Sequence, residues 1–131
     1  MRIAVDTGVI IATLDGETDA LIDYARRGWR LYTTEYNLTE VFYVLCRKLG
    51  METAEKIVES LVKSRVLVTY PTAELQKTAA ACKCKYKIAL PDCYTIALAQ
   101  RLKTKALFKK EGELIEAAKR DEALARIIEF I

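Results

Sequence analysis

Short apolar runs, each cut off by a turn residue or a proline, alternate along this chain with segments whose apolar positions recur every three to four residues. No other feature constrains the fold as much. Arg2–Val5, Arg30–Thr33, Val66–Tyr70, Ala106–Phe108 and Arg126–Phe130 read as strands. Between them the helical period predicts a short helix over Val9–Ala12 and helices over Glu17–Arg27, Asn37–Leu49 and Glu52–Ser64. Further helices are expected over Thr72–Cys84, Pro91–Leu102 and Glu113–Arg120, the second of these apolar almost all round. Strands separated by helices pair in parallel, and a parallel sheet must be covered on both faces. The expected class is α/β. At 131 residues, with no repeat or linker, the chain is expected to form one domain over residues 1–131.

Composition then limits the chemistry. The chain has no histidine, which removes Ser-His-Asp and Cys-His nucleophiles, imidazole bases and His-ligated zinc. Four cysteines remain, Cys46, Cys82, Cys84 and Cys93. The Cys82-Lys83-Cys84 spacing is too short for a usual zinc pair, so they are expected to be reduced and structural, Cys46 and Cys93 in particular as small buried hydrophobes. The uncharged stretches Thr7–Leu14, Val66–Ala73 and Cys93–Gln100 are far too short to span a bilayer. The opening residues lack the three-part pattern of a secretion signal, so a cytoplasmic protein with no membrane partner is expected. Net charge is +3, but residues 71–110 hold nine Lys and Arg against Glu74 and Asp92, a local balance of +7. Such a run is either a solvated basic face or a surface that tracks phosphates.

Most of the carboxylates have an ordinary place. Glu52–Lys56 and Glu59–Lys63, for example, are i,i+4 pairs on an outer helix face. Three do not. Asp6 ends the first strand, at the edge where open α/β sheets bind ligands. Glu40 shares a helix face with Tyr43 and Val44, and Asp92 opens an apolar helix beside Thr95, Ile96 and Ala99. Each has a local alternative: Asp6 as a turn residue before a helix, Glu40 as an edge residue reaching water, Asp92 as a helix-start charge. A hard divalent cation would account for all three together, because Mg²⁺ and Mn²⁺ prefer carboxylate and water oxygens.

Four short motifs in order carry a resemblance. Asp6-Thr7-Gly8 follows a strand, Thr39-Glu40-Val41 lies on a helix, Leu90-Pro91-Asp92 precedes a helix, and Lys109-Lys110-Glu111 follows a strand. The acids are separated by 34, 52 and 19 residues. In this order and spacing the chain resembles the PIN (PilT N-terminus) domain, and within it the VapC-type toxins of toxin–antitoxin pairs. The resemblance implies a three-layer α/β/α sandwich with a central parallel sheet of four to five strands. It implies an acidic pocket of Asp6, Glu40, Asp92 and Glu111 that holds Mg²⁺ or Mn²⁺, with Asp6 and Asp92 as the metal ligands and Thr7 as the hydroxyl beside the first acid. The implied activity is metal-dependent hydrolysis of RNA, with basic residues on the rim gripping the substrate backbone. The implied partners are a cognate antitoxin, which would insert an Arg or Lys among the carboxylates, and a second copy of the chain in a homodimer. One departure stands out. The family's usual Thr-x-Asp run is replaced by Lys109-Lys110-Glu111, so Glu113 is an alternative fourth acid, and a PIN-like module that binds RNA or a protein without cutting is the alternative function. Retroviral-type aspartic proteases share an Asp-Thr-Gly run but are all-β, which the helical periodicity here excludes.

Overall fold

A computed structural model describes all 131 residues. Five strands, β1 (Arg2–Val5), β2 (Arg30–Thr34), β3 (Leu67–Tyr70), β4 (Ala106–Phe108) and β5 (Ile128–Phe130), form one sheet in the order β3-β2-β1-β4-β5. All four pairings are parallel, with Ile3 opposite Leu31 on one side of β1 and Val5 opposite Leu107 on the other. Eight helices complete the chain: α1 (Thr7–Leu14), α2 (Ala20–Arg26), α3 (Glu35–Leu49), α4 (Met51–Lys63), α5 (Gln76–Lys85), α6 (Leu90–Leu102), α7 (Gly112–Arg120) and α8 (Glu122–Ile127).

The pleat of each strand sends alternate side chains to opposite faces and so divides the core in two. Ile3 and Val5 of β1 and Leu107 of β4 pack with Val9, Ile10, Val41, Leu45 and Val58, beneath α1 to α4. Ala4 of the same strand, with Ala106 and Phe108, packs with Ile96, Leu98, Leu114 and Leu124, beneath α5 to α8. The result is a three-layer α/β/α sandwich. No helix is long and apolar enough to cross a membrane.

The differences from expectation lie at element ends and in α8, a helix the sequence pattern does not predict. The first helix runs from Thr7, because Asp6 caps it, and ends at Leu14 where Gly16 turns left-handed at φ +76°. Thr72–Leu75 forms a separate 3₁₀ turn before α5. Arg126 and Ile127, read as the start of the last strand, close α8, whose six residues Asp121 caps by accepting from the Leu124 amide at 3.1 Å. A β-branched Ile-Ile pair drew the strand boundary too early there.

β1 is the pivot of the sheet. The chain steps outward through β2 and β3 on one side and returns through β4 and β5 on the other, so the loops after β1 and β4 part at the carboxyl edge and leave a crevice. Asp6 and Lys109 are the first residues beyond these two strands.

Candidate active site at the carboxyl edge of the sheet

A cleft of about 510 Å³ opens at this pivot, and Asp6, Glu40, Asp92 and Glu111 all line it. Residues from four separate elements therefore meet at one place. Their environments differ. Asp6 and Asp92 are buried, at 5% and 6% exposure, whereas Glu40 is half-buried and Glu111 exposed. Glu40 projects from α3 on a face shared with Val44 and Lys48, one helical turn apart each. Tyr43, expected on the same face, is turned to solvent. Glu111 sits at the start of α7, and Glu113, two residues on, lines a different cavity with Lys85, Lys87 and Asp121. Of the two, only Glu111 belongs to the cleft.

Asp6 is both a helix cap and a member of this group. Its Oδ2 accepts from the Gly8 amide at 3.3 Å, and its Oδ1 accepts from the Thr95 hydroxyl at 2.8 Å and from Asn37 Nδ2 at 3.4 Å. Burial pushes its carboxyl up to about 6; the Thr95 and Gly8 hydrogen bonds pull the other way, and the charges of Glu40 and Glu111 add to the rise. Asp92 lies in the first turn of α6 after Pro91, and no hydrogen bond favours its charged form. Burial again acts first, and the charges of Asp6 and Glu111 reinforce it, so this carboxyl is pushed up to about 8. A buried acid that no donor compensates resists ionisation.

Asn37 escaped the sequence reading and holds the site together. Fully buried, its Nδ2 donates to Thr7 Oγ1 at 3.1 Å and to the Pro91 carbonyl at 3.2 Å as well as to Asp6. Thr7 returns a hydrogen bond to the Asn37 carbonyl at 3.3 Å. Thr34 caps α3 by accepting from the Asn37 amide at 2.9 Å, and its hydroxyl donates to Asn37 Oδ1 at 2.5 Å. One amide thus fastens α1, α3 and the start of α6 around the Asp6 carboxylate. The signal was present: Thr34-x-x-Asn37 has the spacing of a capping box, and asparagine is disfavoured inside helices unless it has such work.

Basic residues are fewer here than the +7 run suggested. Of its nine, only Lys109 and Lys110 line the cleft, joined by Lys48 from outside that run. The four cysteines are free. Cys82 and Cys93 are buried, Cys46 is half-buried and Cys84 exposed. No three Asp, Glu or Cys side chains come close enough to form a metal cage by themselves. The donor set is nevertheless suited to a hard cation that keeps most of its waters and takes one or two carboxylates. No hydrogen bond favours the charged form of Asp92, and Gly8 leaves open the space beside Asp6 Oδ2, where a Cβ would stand 3.6 Å away.

A family model described as PIN domain matches residues 3–127. No curated protein matches the chain. Several solved structures share its fold. VapC20 of Mycobacterium tuberculosis, described as a sarcin-ricin loop cleaving toxin, is 22% identical over 88% of this chain and 94% of that one, with a TM-score of 0.63. VapBC2 of Rickettsia felis, solved on a DNA fragment from its promoter, is 15% identical over 100% and 99%, with a TM-score of 0.70. VapBC-1 of nontypeable Haemophilus influenzae is 16% identical over 100% and 97%, with a TM-score of 0.66.

Proposed function

The chain belongs to the PIN domain family, and we propose that it is a divalent-metal-dependent endoribonuclease, the toxin of a type II toxin–antitoxin pair acting in the cytoplasm. The observation that carries this reading is the pair Asp6 and Asp92: both are buried at the sheet pivot, and both are driven toward the neutral form. Two such acids in one cleft destabilise the protein unless something offsets their charge. In this reading Asp6 and Asp92 hold Mg²⁺ or Mn²⁺. Glu40 and Glu111, farther toward solvent, hold its waters. A bound cation supplies a water of lowered pKa and offsets charge on the phosphorane-like transition state. The Thr95 hydroxyl and the Gly8 amide favour the charged form of Asp6 against its burial, while Asn37 helps aim that carboxyl and, with Thr7, fixes the α1 start against α6.

The partners come from the same reading: an RNA substrate, an antitoxin whose Arg or Lys enters among the carboxylates and takes the cation's electrostatic place, and a second copy of the chain. One observation favours the other reading, a module that binds RNA or a protein without cutting: Lys109-Lys110-Glu111 stands where the family usually has Thr-x-Asp, and Glu111 is exposed.

A cleavage assay on single-stranded RNA decides between them. The nuclease reading expects cleavage with Mn²⁺ or Mg²⁺, none in EDTA, and an unchanged far-UV circular dichroism spectrum, since the core does not need the metal to fold. RNA binding in EDTA without cleavage by either cation favours the binding module instead.

A further inference from the structure

Two lysines of the cleft already hold an anion each, and both anions come from one tight turn. After α1 the Gly16 amide donates to the Thr13 carbonyl at 3.2 Å and the Glu17 amide to the Ala12 carbonyl at 2.9 Å. This left-handed closure, which glycine adopts without strain, sets Asp15 and Glu17 on either side of Gly16, and both reach the cleft wall. Asp15 Oδ2 accepts from Lys48 Nζ at 2.9 Å, and Glu17 Oε2 accepts from Lys109 Nζ at 3.1 Å. Lys48 comes from the α3 face that carries Glu40. Lys109 follows β4, and its stem lies over Gly8: a Cβ there would meet Lys109 Cδ at 3.7 Å.

We infer that Lys48 and Lys109 are the phosphate-binding positions of the cleft, and that the Asp15 and Glu17 carboxylates occupy the places two backbone phosphates of a single-stranded RNA take. The inference rests on the nuclease reading and names how its substrate is gripped. Both ion pairs are solvent-exposed, with lysine side chains at 48% and 44% and carboxylates at 33% and 56%. Exposed pairs contribute little to stability and are screened by salt, so one oxygen anion can replace another at small cost. Six carboxylates line the cleft against three lysines, a wall that repels a polyanion while two of the lysines are engaged internally. An incoming phosphate releases the two lysines from the turn, whose carboxylates stay tethered and swing into solvent, where water and salt screen them.

The test is fluorescence anisotropy of a labelled single-stranded oligoribonucleotide on the full chain in EDTA, where affinity is read without turnover. Lys48→Gln and Lys109→Gln should each weaken binding about fivefold and lower the slope of log affinity against log salt by about 0.7. Asp15→Asn and Glu17→Gln should each tighten it about twofold or more, and the Glu17→Gln gain should vanish in a Lys109→Gln background. Glu52→Gln and Lys56→Gln, which break a more exposed pair on α4, control for net charge and should change affinity less. The inference is overturned if Glu17→Gln and Lys109→Gln move affinity in the same direction, as a simple staple of the turn requires. It is equally overturned if the α4 controls match them or if the wild type does not bind. Cleavage with Mn²⁺ is followed in parallel. Cleavage indifferent to both lysines removes this inference and leaves the nuclease; the expected binding pattern without cleavage removes the nuclease and leaves the grip.

Discussion

Asp6 and Asp92 are the same side chain, at 5% and 6% exposure, in the same cleft, yet one carboxyl is pushed up to about 6 and the other to about 8. Burial acts first on both. Their polar neighbours differ: at the β1 corner the Thr95 hydroxyl and Gly8 amide favour the charged form, whereas at the α6 corner only neighbouring negative charges act, and they oppose it. The β1 corner therefore favours the charged carboxylate more than the α6 corner does, and in the proposed reading the α6 corner is where a cation's charge would count most. Depth alone does not decide the charge of a buried acid; the donors aimed at it do.

The largest effect expected from breaking either corner is on cleavage. Asp6→Asn and Asp92→Asn should each lower RNA cleavage at least about 100-fold, since altering even the outer partners of metal ligands costs roughly 10–100-fold. Thr95→Val strips the β1 corner of its nearest donor without changing its shape. It should reduce cleavage about 10–100-fold and lower stability by about 1–3 kcal/mol, because Asp6 is left buried with fewer partners. A silent Thr95→Val variant would erase the distinction between the corners. Glu111→Gln should lower cleavage about tenfold, while Glu113→Gln, which faces the other cavity, should change it less than about twofold; the reverse order would move the fourth acid to Glu113.

A smaller effect concerns pH. Asp92 in the folded protein holds its proton up to about 8, against 3.8 for its ordinary value. The folded state then binds more protons than the unfolded one between these values, so stability falls as pH rises across that window. In EDTA this group's contribution to the melting temperature should be highest near its ordinary value of 3.8 and decline toward about 8. Asp92→Asn should flatten the decline, as scanning calorimetry at several pH values would show.

Much of this arrangement was legible in the residues. Apolar runs and helical spacing located β1, β4, α3 and α6, and out-of-place acids located Asp6, Glu40 and Asp92. Each feature that the sequence concealed has a physical reason. The local Thr34-x-x-Asn37 spacing marks only the helix start at Asn37; its hold on Asp6, Thr7 and Pro91 runs through hydrogen bonds to residues 30 and more positions away, beyond the reach of a local pattern. Helix α8 is a short helix stabilised by its Asp121 cap and by Leu124 in the core, and the β-branched residues at its end carry a stronger strand signal than its own period. The cleft's lysines depend on which loops meet at β1, so Lys48 was invisible within a charge count and the lysines of residues 71–110 were overcounted.

Asp92 is either a metal ligand, as proposed, or a helix-start charge, and thermal melts of wild type and Asp92→Asn, in EDTA and with Mn²⁺, separate the two. Removing a carboxyl that folding forces to take up a proton should stabilise the protein in EDTA at neutral pH by about 1–3 kcal/mol, which raises the melting temperature by roughly 3–10 °C for a chain of this size. The stabilisation that Mn²⁺ confers on the wild type should shrink or disappear in the variant. A variant that melts lower than wild type in EDTA and gains as much from Mn²⁺ would contradict the metal-ligand role and return Asp92 to the helix dipole.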